Sequence, residues 1–470
     1  MRSGWSALRR GTRRWIDSAR HDPSLIAVGA VFLAGFGLRL WFLAAWRPAF
    51  LGFTDTGAYV AAAGALGDSP VRPIGYPIFL KSVHALTADM TWTIVVQHAL
   101  GLATAALLYL ATLRMTRSRL VALLPAAFIL FDGLVVVLEH TLLSETLFMF
   151  LVAGSSYATL RSLDDNRFWA AAAGGLVAAA GVTRPVGLLL LPVPVLAALL
   201  WRPGGRRLRL AAAGFASAGA LGVIAIYLGI LAVAPGDPVV SLSPSSGRIL
   251  YSRVAPFADC QKFHPPAGTR PLCERAPPQI RQDTNYYLWN SANPAWVNYG
   301  APPAGDEKLR AFALAVISHQ AGDYVSEVWE DMRKYVADYR TYIDVADNTV
   351  PFVTDHTRRY YRNPPGFSSA NPEPLMSYAR SVFTDGQWPM RLLIVIPALS
   401  LVIARGRERQ GAAIFAVTGW VLLVAGVATA NYDPRYGVVA IGSLAAGAAP
   451  TVGHAARLPR LVTARMRRRN

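Results

Sequence analysis

Acidic side chains beside apolar segments are the residues with the clearest capacity for chemistry in this sequence. Asp55 follows the first long apolar segment directly, in the stretch from Phe53 to Tyr59. A carboxylate at such a boundary can accept a proton from an acceptor hydroxyl and act as a general base. The alternative is that Asp55 caps the helix that follows, a position that aspartate favours. The two roles are compatible, and Asp55 is a candidate catalytic residue.

A second acidic group follows the third apolar segment. Glu139 and His140 are adjacent, and Glu145 falls at the start of the next apolar segment. Glu139 and His140 are candidates to orient an acceptor or to bind a divalent metal, although metal sites usually need three or more ligands. The alternative is a polar turn at the membrane boundary. Glu145 is a candidate secondary acid, because an acid inside that boundary usually faces protein or a cavity. No other cofactor is predicted.

Five basic residues are predicted on the non-cytoplasmic side, against the usual charge bias of membrane proteins. They are Arg39, Arg72, Lys81, Arg184 and Arg435. Guanidinium groups bind phosphate through two parallel hydrogen bonds, so a lipid phosphate or pyrophosphate is the candidate ligand. The alternatives are ion pairs with Asp55, Glu139 or Asp433, or side chains that extend to lipid head groups.

The composition indicates that these residues are positioned by a membrane protein. The chain has 470 residues, of which 53% are hydrophobic and 16% are charged, with a mean hydropathy of +0.32. A soluble protein carries about 25% charged residues. The apolar runs lack a period-2 alternation and therefore predict helices, not the strands of a barrel. Most of the net charge of +18 lies between these runs, so nucleic-acid binding is not expected.

The apolar runs predict an all-α polytopic protein of about ten transmembrane helices. The predicted spans are 24–47, 91–113, 120–138, 142–160, 168–183, 186–201, 208–234, 388–404, 411–430 and 436–450. Every second connection is basic, from the segment 9–20 to the segment 457–469. This pattern predicts a multi-pass protein of the plasma or inner membrane, with both termini in the cytoplasm and the candidate site outside it.

The spans divide the chain into three parts. Residues 1–234 form an N-terminal transmembrane module with an outer loop at 48–90. A mixed extracytoplasmic region follows at 235–387, and the C-terminal transmembrane helices with a basic cytoplasmic tail occupy 388–470. Cys260 and Cys273 lie in the extracytoplasmic region and predict a disulfide, the alternative being two free buried thiols.

An aromatic-rich strip also lies in the extracytoplasmic region. It comprises Tyr286, Tyr287, Trp289, Trp296 and Tyr299. Such rings can stack on sugars, but we favour an aromatic belt at the membrane surface or a small domain core.

The order of these motifs resembles that of the GT-C glycosyltransferases, in the branch of the protein O-mannosyltransferases and lipid A aminoarabinose transferases. The resemblance covers residues 24–200 well and the last spans loosely. It is carried, in order, by Asp55, Tyr59, Arg72, Gly75, Tyr76, Glu139, Ser144, Glu145, Thr183, Arg184, Pro185, Arg435 and Tyr436. One position departs from the pattern: many relatives carry a second acid directly after the first-loop aspartate, where this chain has Thr56.

The resemblance implies a GT-C-like fold and an inverting transfer of a sugar from a polyprenyl-phosphate donor, outside the cytoplasm. Asp55 is then the catalytic base. The implied ligands of the donor phosphate are Arg72, Lys81, Arg184 and Arg435. The further implied cavity residues are Tyr59, Tyr76 and Tyr436. The partners are the donor, membrane lipids and an acceptor that is a lipid, a glycan or a protein.

Two other functions compete with this interpretation. A ligase or polymerase that uses a lipid-diphosphate oligosaccharide would also need arginines on the outer face. A lipid-sugar transporter is less favoured, because it predicts inverted repeats and polar residues near the bilayer midplane, and neither is clear in the sequence.

Overall fold

The structure, a computed structural model, consists of helices joined by irregular segments in the residues that it describes. These are 22–50, 53–236, 238–337, 355–363, 371–384 and 387–467, without the side chains of 53–54 and 458–467. Within them there is no strand, only an isolated β-bridge between Phe50 and Thr141. The all-α prediction is therefore confirmed. The predicted basic segment 9–20 and the side chains of the tail from 458 onwards lie outside the described residues.

Ten α-helices are described in the N-terminal module. They are α1 (Pro23–Ala45), α2 (Phe53–Gly64), α3 (Gly75–His84), α4 (Met90–Thr116), α5 (Arg119–Phe131), α6 (Gly133–Glu139), α7 (Glu145–Asp164), α8 (Phe168–Thr183), α9 (Pro192–Trp201) and α10 (Arg206–Val233), with a 3-10 helix at Pro185–Leu190. The outer loop thus contributes two short helices, α2 and α3, between the long helices α1 and α4.

The described remainder contains ten further α-helices. They are α11 (Ser246–Val254), α12 (Thr284–Trp289), α13 (Pro294–Tyr299), α14 (Asp306–His319), α15 (Ala321–Lys334), α16 (Asp355–Tyr360), α17 (Glu373–Ser381), α18 (Trp388–Ile403), α19 (Gly406–Thr429) and α20 (Pro434–Arg467). The described part of the predicted extracytoplasmic region (235–387) is built of short helices and irregular loops, so its mixed character is helix and coil.

Five of the described helices are long and apolar enough to cross a membrane: α1, α4, α10, α19 and residues 434–457 of α20. The pair α5 and α6, bent by 57°, makes a sixth if it is one span. Shorter apolar helices occupy Phe168–Thr183, Pro185–Trp201 and Trp388–Ile403. Eight of the ten predicted spans each coincide with one α-helix, whereas 120–138 is divided between α5 and α6, and 186–201 between the 3-10 helix and α9. The chain is a multi-pass membrane protein. The count of about ten spans stays a prediction.

The bend between α5 and α6 is caused by Asp132. Its Oδ1 accepts hydrogen bonds from the backbone N–H groups of Leu134 and Val135, at 3.0 and 3.1 Å, which begins a new helix at Gly133. Its Oδ2 accepts the backbone N–H of Thr384 at 3.0 Å. The bend changes the direction of the chain before it reaches Glu139 and Glu145.

Close backbone packing positions the end of α8 beside the outer loop. A Cβ added to Gly75 would lie 2.4 Å from the carbonyl oxygen of Val182, and one added to Gly174 would lie 1.8 Å from that of Ala216. Small residues allow helix backbones to approach in this way within a membrane. The start of α3 and the segment after α8 are therefore held together.

The extracytoplasmic region has its own core around Tyr251, Tyr287 and Phe312, which are all buried. Cys260 and Cys273 form the predicted disulfide beside this core. Tyr286 and Tyr299 pack against the same core. The prediction of a small domain core therefore fits much of the aromatic strip.

The extracytoplasmic region is attached to both parts of the membrane domain. Ser245 donates a hydrogen bond to the carbonyl of Pro70 in the outer loop, at 2.6 Å. Tyr324 of α15 donates to the carbonyl of Ala428 near the end of α19, at 2.8 Å. These contacts close the region over the ends of the spans.

Candidate active site

A cavity of about 420 Å³ lies where the outer loop, the end of α8, the extracytoplasmic region and the start of α20 meet. It is lined by Asp55, Tyr59, Val71, Arg72, Pro73, Thr183, Arg184, Pro185, Ile249, Asn285, Leu288, Trp289, Ala430, Asn431, Tyr432, Asp433, Arg435 and Tyr436. Another cavity, of about 460 Å³, lies near the start of α18. Among the described residues that line it, the one ionisable side chain is that of Asp132, which already caps α6. The first cavity is therefore the candidate active site.

Each charged side chain of the candidate site lies at or near a helix end. Asp55 and Glu145 occupy the first turns of α2 and α7, where the partial positive charge of a helix start stabilises a carboxylate. Arg184 lies between α8 and the 3-10 helix, in an extended conformation that suits a residue before proline. Arg435 lies in the first turn of α20, and its backbone N–H donates to Asp433 Oδ1 at 2.9 Å.

Asp55 is held by two guanidinium groups. Arg72 Nη2 donates to its Oδ1, and Arg435 Nη1 donates to its Oδ2 at 3.2 Å. Burial raises the pKa of the Asp55 carboxyl, but the positive charges of Arg72 and Arg435 outweigh burial, so its pKa lies below the usual value. The side chain is still 20% exposed, so a ligand in the cavity can reach it. Asp55 is therefore an ionised and accessible carboxylate at neutral pH.

Arg435 connects Asp55 to two further acids. Its Nη2 lies 2.8 Å from Asp433 Oδ2, and its Nη1 lies 3.8 Å from Glu145 Oε1. Arg184 Nη1 lies 2.5 Å from the same Glu145 oxygen. Three arginines and three carboxylates thus form one network with balanced formal charge. An added phosphate must compete with these carboxylates for the guanidinium groups.

Two of the predicted tyrosines line the cavity and one lies behind it. Tyr59 is within 3.1 Å of Ser144 Oγ, and the ring of Tyr436 lies 5.4 Å from the guanidinium carbon of Arg184. Tyr76 packs edge-on against Tyr59, and its hydroxyl donates to Gln97 at 2.6 Å. Tyr76 therefore supports the wall instead of facing a ligand.

The structure places Lys81 outside the candidate site. The residue is on the exposed side of α3, and its ammonium donates to the carbonyl of Ala63 at 3.4 Å. The opposite side of this helix is the buried one, with Tyr76, Leu80 and Val83. Lys81 is not among the residues that line the cavity.

Glu139 and His140 are also kept away from the cavity, in a separate buried network. Glu139 Oε1 lies 2.6 Å from Arg39 Nη2, and its Oε2 lies 2.9 Å from His98 Nδ1. His140 Nδ1 is 3.0 Å from His98 Nε2, and its other ring nitrogen is 3.1 Å from the carbonyl oxygen of Trp46. Arg39 and Glu139 thus form an ion pair, one of the alternatives that the sequence left open. The structure does not bring Glu139 or His140 to an acceptor.

The same network bears on the candidate metal. Among the described residues there is no group of three or more histidine, cysteine or acidic side chains that could hold a metal ion. Both carboxylate oxygens of Glu139 are engaged by Arg39 and His98. The geometry therefore gives no support to a metal bound by Glu139 and His140.

Arg39→Ala is expected to lower the free energy of unfolding by about 3–5 kcal/mol, because it leaves the buried Glu139 carboxylate without its guanidinium partner. Denaturant titration of the purified protein in detergent measures the change. Arg47→Ala is the control, since Arg47 is an exposed arginine just after the same helix. Arg39→Ala combined with Glu139→Gln should recover part of the loss. A loss below about 1 kcal/mol for Arg39→Ala would show that the pair is not structural.

The residues of the candidate site that were not predicted to belong to it include Asp433, Ser144 and Trp289. Asp433 was considered only as a partner of an arginine, yet its place beside Arg435 in the sequence is a signal for the bidentate contact now seen. Arg184 Nη1 lies 3.2 Å from Ser144 Oγ. Trp289 faces the cavity, whereas Tyr286, Tyr287 and Tyr299 belong to the core. The spacing of these aromatic residues in the sequence does not distinguish the ring that faces the cavity from those in the core.

Comparisons with known proteins agree with the motif order. Residues 87–234 match the family model of the dolichyl-phosphate-mannose-protein mannosyltransferases. A comparison with curated proteins finds no match. Among solved structures, the chain is similar to ArnT from Cupriavidus metallidurans bound to undecaprenyl phosphate, at 15% identity and a TM-score of 0.36, over 91% of this chain and 77% of that one. The family match over residues 87–234 agrees with the resemblance that the motif order predicts.

Proposed function

We propose that the protein transfers a sugar from a polyprenyl-phosphate donor to an acceptor hydroxyl at the non-cytoplasmic face of the membrane, with inversion at the anomeric carbon. The observation that carries the proposal is the convergence of Asp55 with Arg72, Arg184 and Arg435 on one cavity. The description of the matched family, which names dolichyl-phosphate-mannose, supports the same class of donor.

The proposed position of the cavity on the non-cytoplasmic side is supported by the difference in charge between the two ends of α19. Arg405, Arg407 and Arg409 surround the start of α19, and its other end, at Thr429, leads into the cavity lining that begins at Ala430. Basic clusters favour the cytoplasmic side of a span. This charge asymmetry supports a cavity that opens on the opposite side, beside the extracytoplasmic region.

The proposed reaction replaces one C–O bond of the anomeric carbon by another and moves one proton. The acceptor oxygen attacks the anomeric carbon while the bond from that carbon to the phosphate oxygen breaks. The bonding pair leaves with the polyprenyl phosphate, and the hydroxyl proton passes to Asp55. The leaving phosphate gains negative charge, which the guanidinium groups of Arg184 and Arg435 stabilise by several kcal/mol in this enclosed site.

The ion pairs of the candidate site imply an order of events. Asp55 is a weak base while Arg72 and Arg435 both hold it, because their charges lower its pKa. A donor phosphate competes for these guanidinium groups and weakens their hold on the carboxylate. Donor binding is therefore expected to raise the basicity of Asp55 before the acceptor reacts.

The experiment that tests the proposed function uses the full-length protein in vesicles with cell-envelope extract as the acceptor source. Radiolabelled polyprenyl-phosphate sugars and polyprenyl-diphosphate sugars are supplied separately. We expect label to move from a polyprenyl-phosphate sugar into an acceptor. Transfer from the diphosphate donors alone would point to a ligase or polymerase. Movement of labelled lipid across the bilayer without transfer would point to a transporter.

Arg72→Ala is expected to move the acidic limb of the kcat/KM profile to higher pH by about one to three units. Loss of Arg72 removes a charge that lowers the pKa of Asp55, so burial raises that pKa. The base works only when ionised, and it is lost as pH falls through its pKa, so a raised pKa means loss of activity at higher pH. The pH dependence of transfer measures the shift. Arg270→Ala, an exposed arginine outside the cavity, is the control; an unmoved limb in Arg72→Ala would contradict the role of Asp55.

A further inference from the structure

One wall of the cavity is formed by the extracytoplasmic region, outside the part of the chain that matches the family. The short helix α12 supplies Asn285, Leu288 and Trp289 to this wall, and α11 supplies Ile249. Trp289 is 45% exposed, and the guanidinium carbon of Arg72 lies 5.0 Å from the centre of its ring. A large aromatic side chain is thus displayed beside a proposed phosphate ligand.

The helix that carries Trp289 is held firmly. Asp283 caps it by accepting the backbone N–H of Tyr286 at 2.9 Å. Tyr287, on the same helix, is buried in the core of the region. After the helix, Asn293 Nδ2 donates to the carbonyl oxygen of Tyr287 at 2.8 Å and to that of Asn290 at 2.7 Å. The orientation of Trp289 is therefore set by the fold of the region.

The cavity is lined by charged side chains and by uncharged polar or aromatic ones. Its charged side chains are Asp55, Arg72, Arg184, Asp433 and Arg435, and Glu145 lies behind them. The uncharged polar and aromatic side chains of the remaining wall include Asn285, Trp289, Asn431 and Tyr432. Tyr432 is fixed there, because its ring packs on Tyr335 at 4.9 Å and its backbone N–H donates to Asp331 at 3.2 Å.

Amide and aromatic groups together suit a sugar ring. An amide side chain offers both donors and an acceptor to hydroxyl groups. The face of an indole ring carries partial negative charge and attracts the polarised C–H groups of one sugar face, in addition to the apolar area that it buries. Since the phosphate is bonded to the sugar, the two must occupy adjacent parts of the same cavity.

We infer that Asn285 and Trp289 form the sugar-binding subsite, for a pyranose ring with one face of C–H groups toward Trp289 and hydroxyl groups toward Asn285. This inference rests on the proposed function. It makes the extracytoplasmic region the part of the chain that selects the donor sugar, whereas the membrane domain binds the phosphate and supplies the base.

A competing role for Trp289 is to position Arg72 through the contact of its ring with the guanidinium group. The two roles differ in what they do to a ligand without a sugar. A subsite for the sugar affects the donor alone. Positioning of Arg72 affects polyprenyl phosphate with and without the sugar equally.

The test compares two ligands on the full-length protein. For Trp289→Ala we expect the Kd of a polyprenyl-phosphate sugar to rise at least about tenfold, and that of undecaprenyl phosphate to change less than about twofold. Trp289→Phe keeps an aromatic face and should retain most of the affinity. Asn285→Ala should weaken binding of the sugar donor only. Trp329→Ala is the control, because Trp329 is an exposed tryptophan of α15 outside the cavity.

Equal weakening of both ligands in Trp289→Ala, or no weakening of either, would overturn the inference. Failure of the proposed function gives a different result, because the unaltered protein would then transfer no sugar from the polyprenyl-phosphate donor, whatever its affinity for the two ligands. Thermal unfolding of each variant shows whether it is folded before its affinities are compared.

Discussion

Asp55→Asn is expected to reduce kcat by about 10²- to 10⁴-fold, the usual contribution of a general base. Asparagine has nearly the same shape and keeps an oxygen that can accept hydrogen bonds from Arg72 or Arg435, so the fold should persist. It cannot take a proton from the acceptor hydroxyl. Steady-state transfer assays with a polyprenyl-phosphate sugar measure the loss, and thermal unfolding verifies the fold.

Binding separates this effect from simple damage to the cavity. Asp55→Asn removes one negative charge that competes for the guanidinium groups. The affinity for undecaprenyl phosphate should therefore be unchanged or higher, while turnover falls. Asp68→Asn, an exposed aspartate in the same outer loop, is the control and should transfer normally. Near-normal turnover in Asp55→Asn would refute the assignment of the base.

Arg435→Ala is expected to reduce kcat/KM by about 10²- to 10³-fold, as for the loss of one preorganised group that stabilises developing charge. Arg435 lies between Asp55, Glu145 and Asp433. Its removal takes away a phosphate ligand and leaves three carboxylates that repel the donor. Both the affinity for undecaprenyl phosphate and the rate of transfer should therefore fall.

The lysine variant keeps this prediction testable if the alanine variant is unstable. Arg435→Lys retains the positive charge but loses the planar fork that contacts Asp433 through two nitrogens. It should bind undecaprenyl phosphate at an affinity between those of Arg435→Ala and the unaltered protein. Arg409→Ala is the control, because Arg409 is exposed near the start of α19, at the end of that helix away from the cavity. Unchanged phosphate affinity in both Arg435 variants would contradict the proposed site.

Much of the candidate site could be predicted because its residues lie at helix ends on one predicted side of the membrane. Asp55, Arg184 and Arg435 are far apart in sequence, but spans of similar length bring alternate ends to a common boundary. The local sequence also favours the backbone conformation of each residue. Asp55 lies in the first turn of α2, a proline follows Arg184, and a proline precedes Arg435. The convergence of these side chains follows from topology and short-range rules.

The structure departs from the predicted site where the direction of a side chain depends on tertiary packing. Glu139 follows the bend at Asp132, which turns it toward Arg39 and His98 on other helices instead of toward the cavity. Lys81 belongs to the outer loop, as Arg72 does, but it lies on the exposed side of α3. Neither the angle of a bend nor the rotation of a short helix about its axis is encoded in the spacing of apolar residues.

For a related reason, the sequence could not predict which rings of the aromatic strip belong to the core and which line the cavity. Tyr287 and Trp289 are two residues apart on one short helix, and one is buried in the core while the other lines the cavity. Which ring faces which way depends on how the extracytoplasmic region packs on the outer loop. That contact, which includes the hydrogen bond from Ser245 to Pro70, joins segments that are distant in the chain.

The most direct measurement is an experimental structure of the protein in a lipid bilayer with undecaprenyl phosphate bound. We expect the phosphate within hydrogen-bonding distance of Arg184 and Arg435, with Arg72 turned from Asp55 toward the ligand and the Asp55 carboxylate facing the space beside the phosphate. A phosphate bound elsewhere, with the pairs of Asp55 to Arg72 and Arg435 intact, would contradict a catalytic cavity at this place.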